Sequence, residues 1–105
     1  MGSRYFLLMR VVARRTLRDF AAKHADVAGP LEAWYRMAKQ AEWDGPVAVK
    51  ASDPRASIIA NNRVVFDIKG GSYRLVVAMH YRTQIAFVRF IGTHAEYGDI
   101  DATTV

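Results

Sequence analysis

Six side chains in the second half of the chain could move protons or hold a phosphate: Lys69, Arg74, His80, Arg89, His94 and Tyr97. Cutting an RNA strand without a metal needs a base for the 2′-hydroxyl, an acid for the leaving oxygen, and cations that stabilise charge building on the phosphate. Arg suits the last task because its planar fork engages two phosphate oxygens at once. His and Tyr can serve as acid or base, according to environmental shifts that residue type alone does not disclose. Each residue also has an ordinary use. Arg74 could simply pair with Asp67 across two strands, His80 could be a solvated turn residue, and His94 and Tyr97 could pack a terminal helix on a sheet. Arg89 is harder to dismiss, because it lies mid-strand between Val88 and Phe90, where a charge needs a partner or a ligand. His24 reads as structural or exposed.

Three runs rich in Val, Ile, Phe and Tyr, over 63–69, 72–81 and 84–91, must position these groups, and they read as two consecutive β-hairpins. Gly70-Gly71 is a strong two-residue turn signal. A tight turn there sets Lys69 opposite Ser72, Asp67 opposite Arg74, Val65 opposite Val76 and Arg63 opposite Ala78. A second turn around Arg82-Thr83 pairs Tyr81 with Gln84 and Val76 with Arg89. Because neighbours on a strand point to opposite sides, one face then carries Val64, Phe66, Ile68, Tyr73, Leu75, Val77, Met79, Tyr81, Ala86, Val88 and Phe90, without a charge. The other carries Arg63, Asp67, Lys69, Arg74, His80 and Arg89 among Val65, Val76, Ala78, Ile85, Phe87 and Ile91. A slip of one residue would mix the two sets, so their separation itself argues for the register. The apolar face requires helices over it; the other is expected half open, positive and suited to a polyanion.

The N-terminal half supplies that cover. An apolar run over 6–12 predicts a strand, and Thr16-Leu17-Arg18-Asp19 resembles a capping box that opens a first helix. Gly29-Pro30 restarts the chain with Pro30 at the first helical position, and a stripe through Leu31, Trp34, Tyr35, Ala38 and Glu42 extends a second helix to Trp43. Residues 47–62 form a mixed connection holding Lys50 and Arg55, long enough to contain a helical turn or a functional loop. Thr93-His94-Ala95-Glu96 is a capping box at the exit of the last strand. The expected architecture is α+β, two N-terminal helices packed on one face of an antiparallel sheet, in the order β-α-α-β-β-β with a short C-terminal helix.

At 105 residues with net charge +5, the chain is sized for one domain and biased toward nucleic acid, an acidic partner or an anionic surface. The charge is uneven: residues 1–23 hold six Lys/Arg against one acid, residues 61–93 five against one, and residues 94–105 three acids with no Lys or Arg. Without cysteine, disulfide scaffolds, thiolate metal sites and Cys nucleophiles are excluded, and the cytoplasm is the expected compartment. No apolar run approaches the ~18 residues of a membrane span. The three His are far apart, with no HExxH or carboxylate cluster, so no metal is expected. No phosphate-binding Gly loop, nucleophile elbow or catalytic triad is present, and no cofactor is expected.

These segments together resemble the HigB toxins of bacterial type II toxin–antitoxin modules, within the RelE/ParE superfamily. The resemblance is carried by Asn61-Asn62-Arg63-Val64-Val65-Phe66-Asp67-Ile68, Tyr73-Arg74-Leu75-Val76-Val77, Arg89-Phe90-Ile91-Gly92-Thr93-His94-Ala95-Glu96-Tyr97 and Asp99-Ile100-Asp101-Ala102-Thr103-Thr104, with Met9-Arg10-Val11-Val12-Ala13 and Leu31-Glu32-Ala33-Trp34-Tyr35 before them. It covers 9–105 as a single domain. Residues 1–8 lie outside it and read as an N-terminal extension or a cloning remnant. Gly98 departs from the pattern, where an acidic residue is expected directly after the Tyr. The resemblance implies a RelE-like fold and an mRNA-cleaving toxin, often acting at the ribosome, with its RNA site on the concave sheet face. It also implies neutralisation by a helix-turn-helix antitoxin of the HigA type. Arg74, Arg89, His94 and Tyr97 match its motifs as the catalytic group, the first two for the phosphate and the last two for proton transfer. Lys50, Arg63, Lys69, His80 and Arg82 are then the expected RNA contacts. Two other classes share the features: a ParE-like gyrase poison that cuts no RNA, and an RNA-binding module without chemistry.

Overall fold

Two strongly apolar strands joined by Gly70-Gly71 form the centre of the molecule. In the computed structural model, which describes residues 8–105, the chain runs β1 (Arg10–Val12), α1 (Arg14–Lys23), α2 (Ala28–Lys39), α3 (Pro46–Ser52), β2 (Ser57–Ile59), β3 (Arg63–Ile68), β4 (Tyr73–His80), β5 (Ile85–Thr93) and α4 (His94–Tyr97). The five strands lie in the order β1-β5-β4-β3-β2. The sheet is antiparallel except at one edge, where β1 runs parallel to β5, a correction to the wholly antiparallel expectation. The part of the expected first strand at residues 6 and 7, and all but Leu8 of the expected extension, lie outside the described residues.

The first hairpin has the expected register: Asp67 faces Arg74, Val65 faces Val76 and Arg63 faces Ala78. Its turn passes through three successive positive φ values, 53° at Lys69, 65° at Gly70 and 96° at Gly71. Glycine adopts that region without steric cost, which is why two of them sit together here. The second hairpin begins as expected, with His80 opposite Ile85 and Val77 opposite Val88, and then departs. A bulge inserts Arg89 at the Val76/Val77 step, so Val76 pairs with Phe90 rather than with Arg89. One extra residue reverses the parity of the strand beyond it. Ile91 therefore joins the helix-side core, and Phe90 turns to the opposite face.

On the helix side the expected core forms. Leu17 of α1 and Leu31, Trp34 and Ala38 of α2 pack with Val64, Phe66, Leu75, Val77 and Met79 of the sheet. Trp34 meets Phe66 edge to face at 5.3 Å between ring centroids. The helix boundaries differ from expectation in instructive ways. α1 starts after Ala13 with no side-chain cap, so Thr16 lies inside it and makes no capping box. A 3₁₀ turn at Ala25–Val27 leads into α2, which places Pro30 third instead of first, still within the turn whose N–H groups have no helical acceptor. α2 stops at Lys39, since the carbonyl of Ala41 accepts from the Met9 N–H that leads into β1. Trp43 is thus outside the helix, yet buried: it stacks on Phe66, and its Nε1 donates to Ser52 Oγ at 2.9 Å.

The 47–62 connection contains more order than its composition implied. α3 fills its first half, and β2 adds an edge strand on β3. Lys50 closes this unit, its Nζ donating to the carbonyls of Pro54 (2.7 Å) and Ala56 (2.9 Å). Asp26 ties the 3₁₀ turn to the first hairpin. Its carboxylate accepts from Lys69 Nζ at 2.8 Å and from the Tyr73 hydroxyl at 2.9 Å. These two donors hold the Asp26 pKa below the ordinary carboxylate value.

Two outcomes are expected. Trp34→Ala removes the largest helix-side anchor and should cost about 3–5 kcal/mol in urea unfolding, most of the margin of a small domain. Asp26 binds its proton less readily when folded, so its contribution to stability is complete above the ordinary value of 3.8 and disappears as pH falls through its lower folded value. The gap in Tm between the native chain and Asp26→Asn should therefore narrow as pH drops below about 4, and a constant gap would exclude this linkage.

Candidate active site

The exit of β5 into α4 is a local structure that the sequence writes out fully. The Thr93 hydroxyl accepts from the Glu96 N–H at 3.1 Å while the Glu96 carboxylate accepts from the Thr93 N–H at 2.8 Å, a complete capping box. The His94 N–H donates to the Ser72 carbonyl at 2.9 Å, which fastens the start of α4 to the first hairpin. Gly92 directly precedes this joint and is buried; a methyl there would lie 2.5 Å from the Phe90 ring and 2.9 Å from a Glu96 carboxylate oxygen. Only a residue without a side chain lets Phe90 and Glu96 close over the strand at this point.

Arg74 is the cation of this corner. Its Nε is 3.2 Å from the Asp67 carboxylate, as the register requires, and one Nη donates to the Gly71 carbonyl. Its guanidinium lies 5.8 Å from the centroid of the Tyr97 ring, in cation–π range, and Tyr97 in turn tilts against Phe90. His94, one residue into α4, is exposed, and among the described residues its ring has no hydrogen-bond or ion-pair partner. Arg74 and Tyr97 are therefore in contact, with His94 on the same short helix. Such a corner offers a fixed cation and two groups able to exchange protons, open on one side to solvent.

Arg89 belongs to a different arrangement. Its Nε donates at 3.1 Å to the main-chain oxygen of Val105, and Arg63 Nη2 donates to the same oxygen at 2.6 Å. The second Nη of Arg63 donates to the Asn61 carbonyl. Residues 97–105 thus cross the sheet face expected to be open. Ala102 is buried against Val65 and Val76, with Tyr97, Ile100 and Val105 packed around it. Asn61 Nδ2 holds the Thr103 carbonyl, and the Asp101 carboxylate, its pKa lowered by donors from Thr103, ties the segment into a turn. The middle of the face is covered, and the polar groups are left at its two ends.

The expected RNA contacts divide accordingly. At the far end Arg63, His80 and Arg82 border a cleft of about 370 Å³ with Asn61, Asn62 and Thr83. His80 is exposed there and packs edge-on against Phe87 at 4.8 Å. Lys69 and Lys50 do not join them, since Lys69 is paired with Asp26 and Lys50 is bound to two carbonyls of its own connection. Sequence reasoning missed Phe90 and the 100–105 segment as parts of this face. The signal available for the second was the apolar group of Val65, Val76 and Ala78, which a sheet does not leave in water.

Among the described residues no group of three or more His, Cys, Asp or Glu is gathered where it could hold a metal ion, and no helix is long and apolar enough to cross a membrane. Comparison with known proteins adds a family. The mRNA interferase HigB of Escherichia coli O6:H1 (strain CFT073) is 24% identical over 91 residues, spanning 85% of this chain and 88% of that protein. Residues 27–100 match the HigB toxin family, described as the RelE-like toxic component of a toxin–antitoxin system. That span takes in α2, every strand from β2 to β5, and α4 with Arg74, Arg89, His94 and Tyr97, and the chain belongs to this family of RelE-like toxins.

Proposed function

We propose that this protein is the toxin of a bacterial type II module and an endoribonuclease that cleaves mRNA on the ribosome in the cytoplasm, without a metal or other cofactor. The observation that carries the reading is the corner where Arg74 lies 5.8 Å from the Tyr97 ring at the joint of β5 and α4. The likeness to an mRNA interferase supports the same activity. In the reaction the ribose 2′-oxygen attacks the adjacent phosphate, the bond to the 5′-oxygen breaks, and a cyclic phosphate and a 5′-hydroxyl remain. Arg74 and Arg89 stabilise the charge on the phosphate oxygens. His94 and Tyr97 carry the two proton transfers, one taking the 2′-hydroxyl proton and the other supplying the leaving oxygen. Arg63, His80 and Arg82 hold the strand at the far end of the face. The partner that silences the toxin is a helix-turn-helix antitoxin of the HigA type.

Primer extension on mRNA after a brief pulse of expression tests the activity directly. New 5′ ends should appear with the native chain and be lost with Arg89→Ala; growth arrest with intact transcripts would replace the nuclease by a gyrase-directed poison. With purified protein, His94→Ala and Tyr97→Phe should each lower kcat by about 10²–10⁴ with little change in unfolding midpoint. Arg82→Ala should instead raise KM at nearly constant kcat and reduce the slope of log affinity against log salt by about 1.

A further inference from the structure

Two guanidiniums converge on the main-chain oxygen of Val105, the last residue of the sequence, and one of their donors is left over. The Val105 oxygen receives Arg63 Nη2 at 2.6 Å and Arg89 Nε at 3.1 Å. Arg63 Nε is buried there with no acceptor at all. A phosphodiester has two non-bridging oxygens and a negative charge, so it can serve each guanidinium separately and also reach the Arg63 Nε donor that the Val105 oxygen leaves unmet. Arg63 also borders the 370 Å³ cleft with His80 and Arg82, which gives the adjoining nucleoside a place to lie.

We propose that Arg63 and Arg89 form a seat for a phosphodiester of the bound RNA, that the Val105 oxygen occupies this seat in the free protein, and that RNA displaces residues 103–105 to enter it. The proposal rests on the RNA-cleaving reading and adds the competitor. Arg89 serves a phosphate only after it has left Val105, so the free toxin is held below its full affinity by its own chain. The displaced piece is short. Ala102 is buried and remains as the anchor, while Val105 and Thr104 are fastened to the turn by N–H donation to the Asp101 carbonyl, at 3.1 Å each. Those two amides report the motion.

The test uses a fluorescent RNA with every 2′-oxygen methylated, which binds without being cut. In the full chain, saturation with this RNA should speed hydrogen exchange at the Thr104 and Val105 amides. A chain shortened after Ala102, with unchanged circular dichroism, should bind it about tenfold more tightly, as expected if the seat is free roughly a tenth of the time. Adding Arg63→Ala to the shortened chain should remove that gain. Equal or weaker binding by a folded shortened chain would overturn the proposal. If that chain does not fold, unchanged or slower exchange at the two amides in the full chain overturns it. Native cleavage of mRNA with no loosening of residues 104 and 105 would sink the seat and leave the nuclease standing; loosening without any cleavage would keep the seat and reduce the protein to an RNA binder.

Discussion

The central strand of the sheet is kept from water on both of its faces, and most of the structure derives from that requirement. Leu75, Val77 and Met79 on one side of β4, and Val76 on the other, are each fully buried, and Ala78 nearly so. A strand with apolar residues on both sides must be covered twice. α1 and α2 provide one cover, anchored by Trp34 and joined by Trp43 from the connection after α2. Residues 97–105 provide the other, with Ala102 at its centre. Burying a side chain of this size is worth about 1.5–3 kcal/mol, so the second cover is a substantial part of a small domain's stability.

That constraint also decides where the polar groups go. Charges cannot lie under the cover, so they collect at its edges: Arg74 beside Asp67 and Tyr97 at one end, Arg63 and Arg82 around the cleft at the other. Arg89 sits between the ends because the bulge removes it from the ladder, and its side chain reaches the edge of the cover at Val105. Arg63, Arg74 and Arg89 each reach at least one acceptor, as the cost of an unpaired buried charge demands, and Arg63 Nε is the donor left over.

Much of this was legible in the residues, where the signals were local. Gly70-Gly71 with its flanking alternation yields the first register pair by pair, and Thr93 with Glu96 yields the cap on α4. The helix-side core was likewise legible from spacing, apart from the exchange of Phe90 and Ile91. That exchange comes from a bulge at Arg89, and the nearest glycine, Gly92, lies beyond it and does not mark its position. Thr16 misled for a related reason: a capping box requires the helix to begin there, and burial of Leu17 is satisfied by a helix that begins earlier. β2 is only three residues long, too short for alternation to show. Contacts between residues far apart in sequence, such as Lys69 with Asp26 or Arg63 with Val105, are set by the tertiary arrangement alone. Hence Arg74 and Tyr97 were named in one group only through the family resemblance, and neither their contact nor the covering of the open face was foreseen.

The position of β1 in the sheet bears on how the protein is made. Among the described residues β1 pairs only with β5, and Arg10 meets Ile85, far along the chain. Parallel pairing at such a distance forms slowly, because loop closure must come before any compensating contact. A chain emerging from the ribosome therefore carries its first strand without a partner until nearly all the rest has been made, and the face that α4 completes does not exist before then. For a protein of a toxin family, strand order thus makes the closed sheet one of the last things the chain can complete.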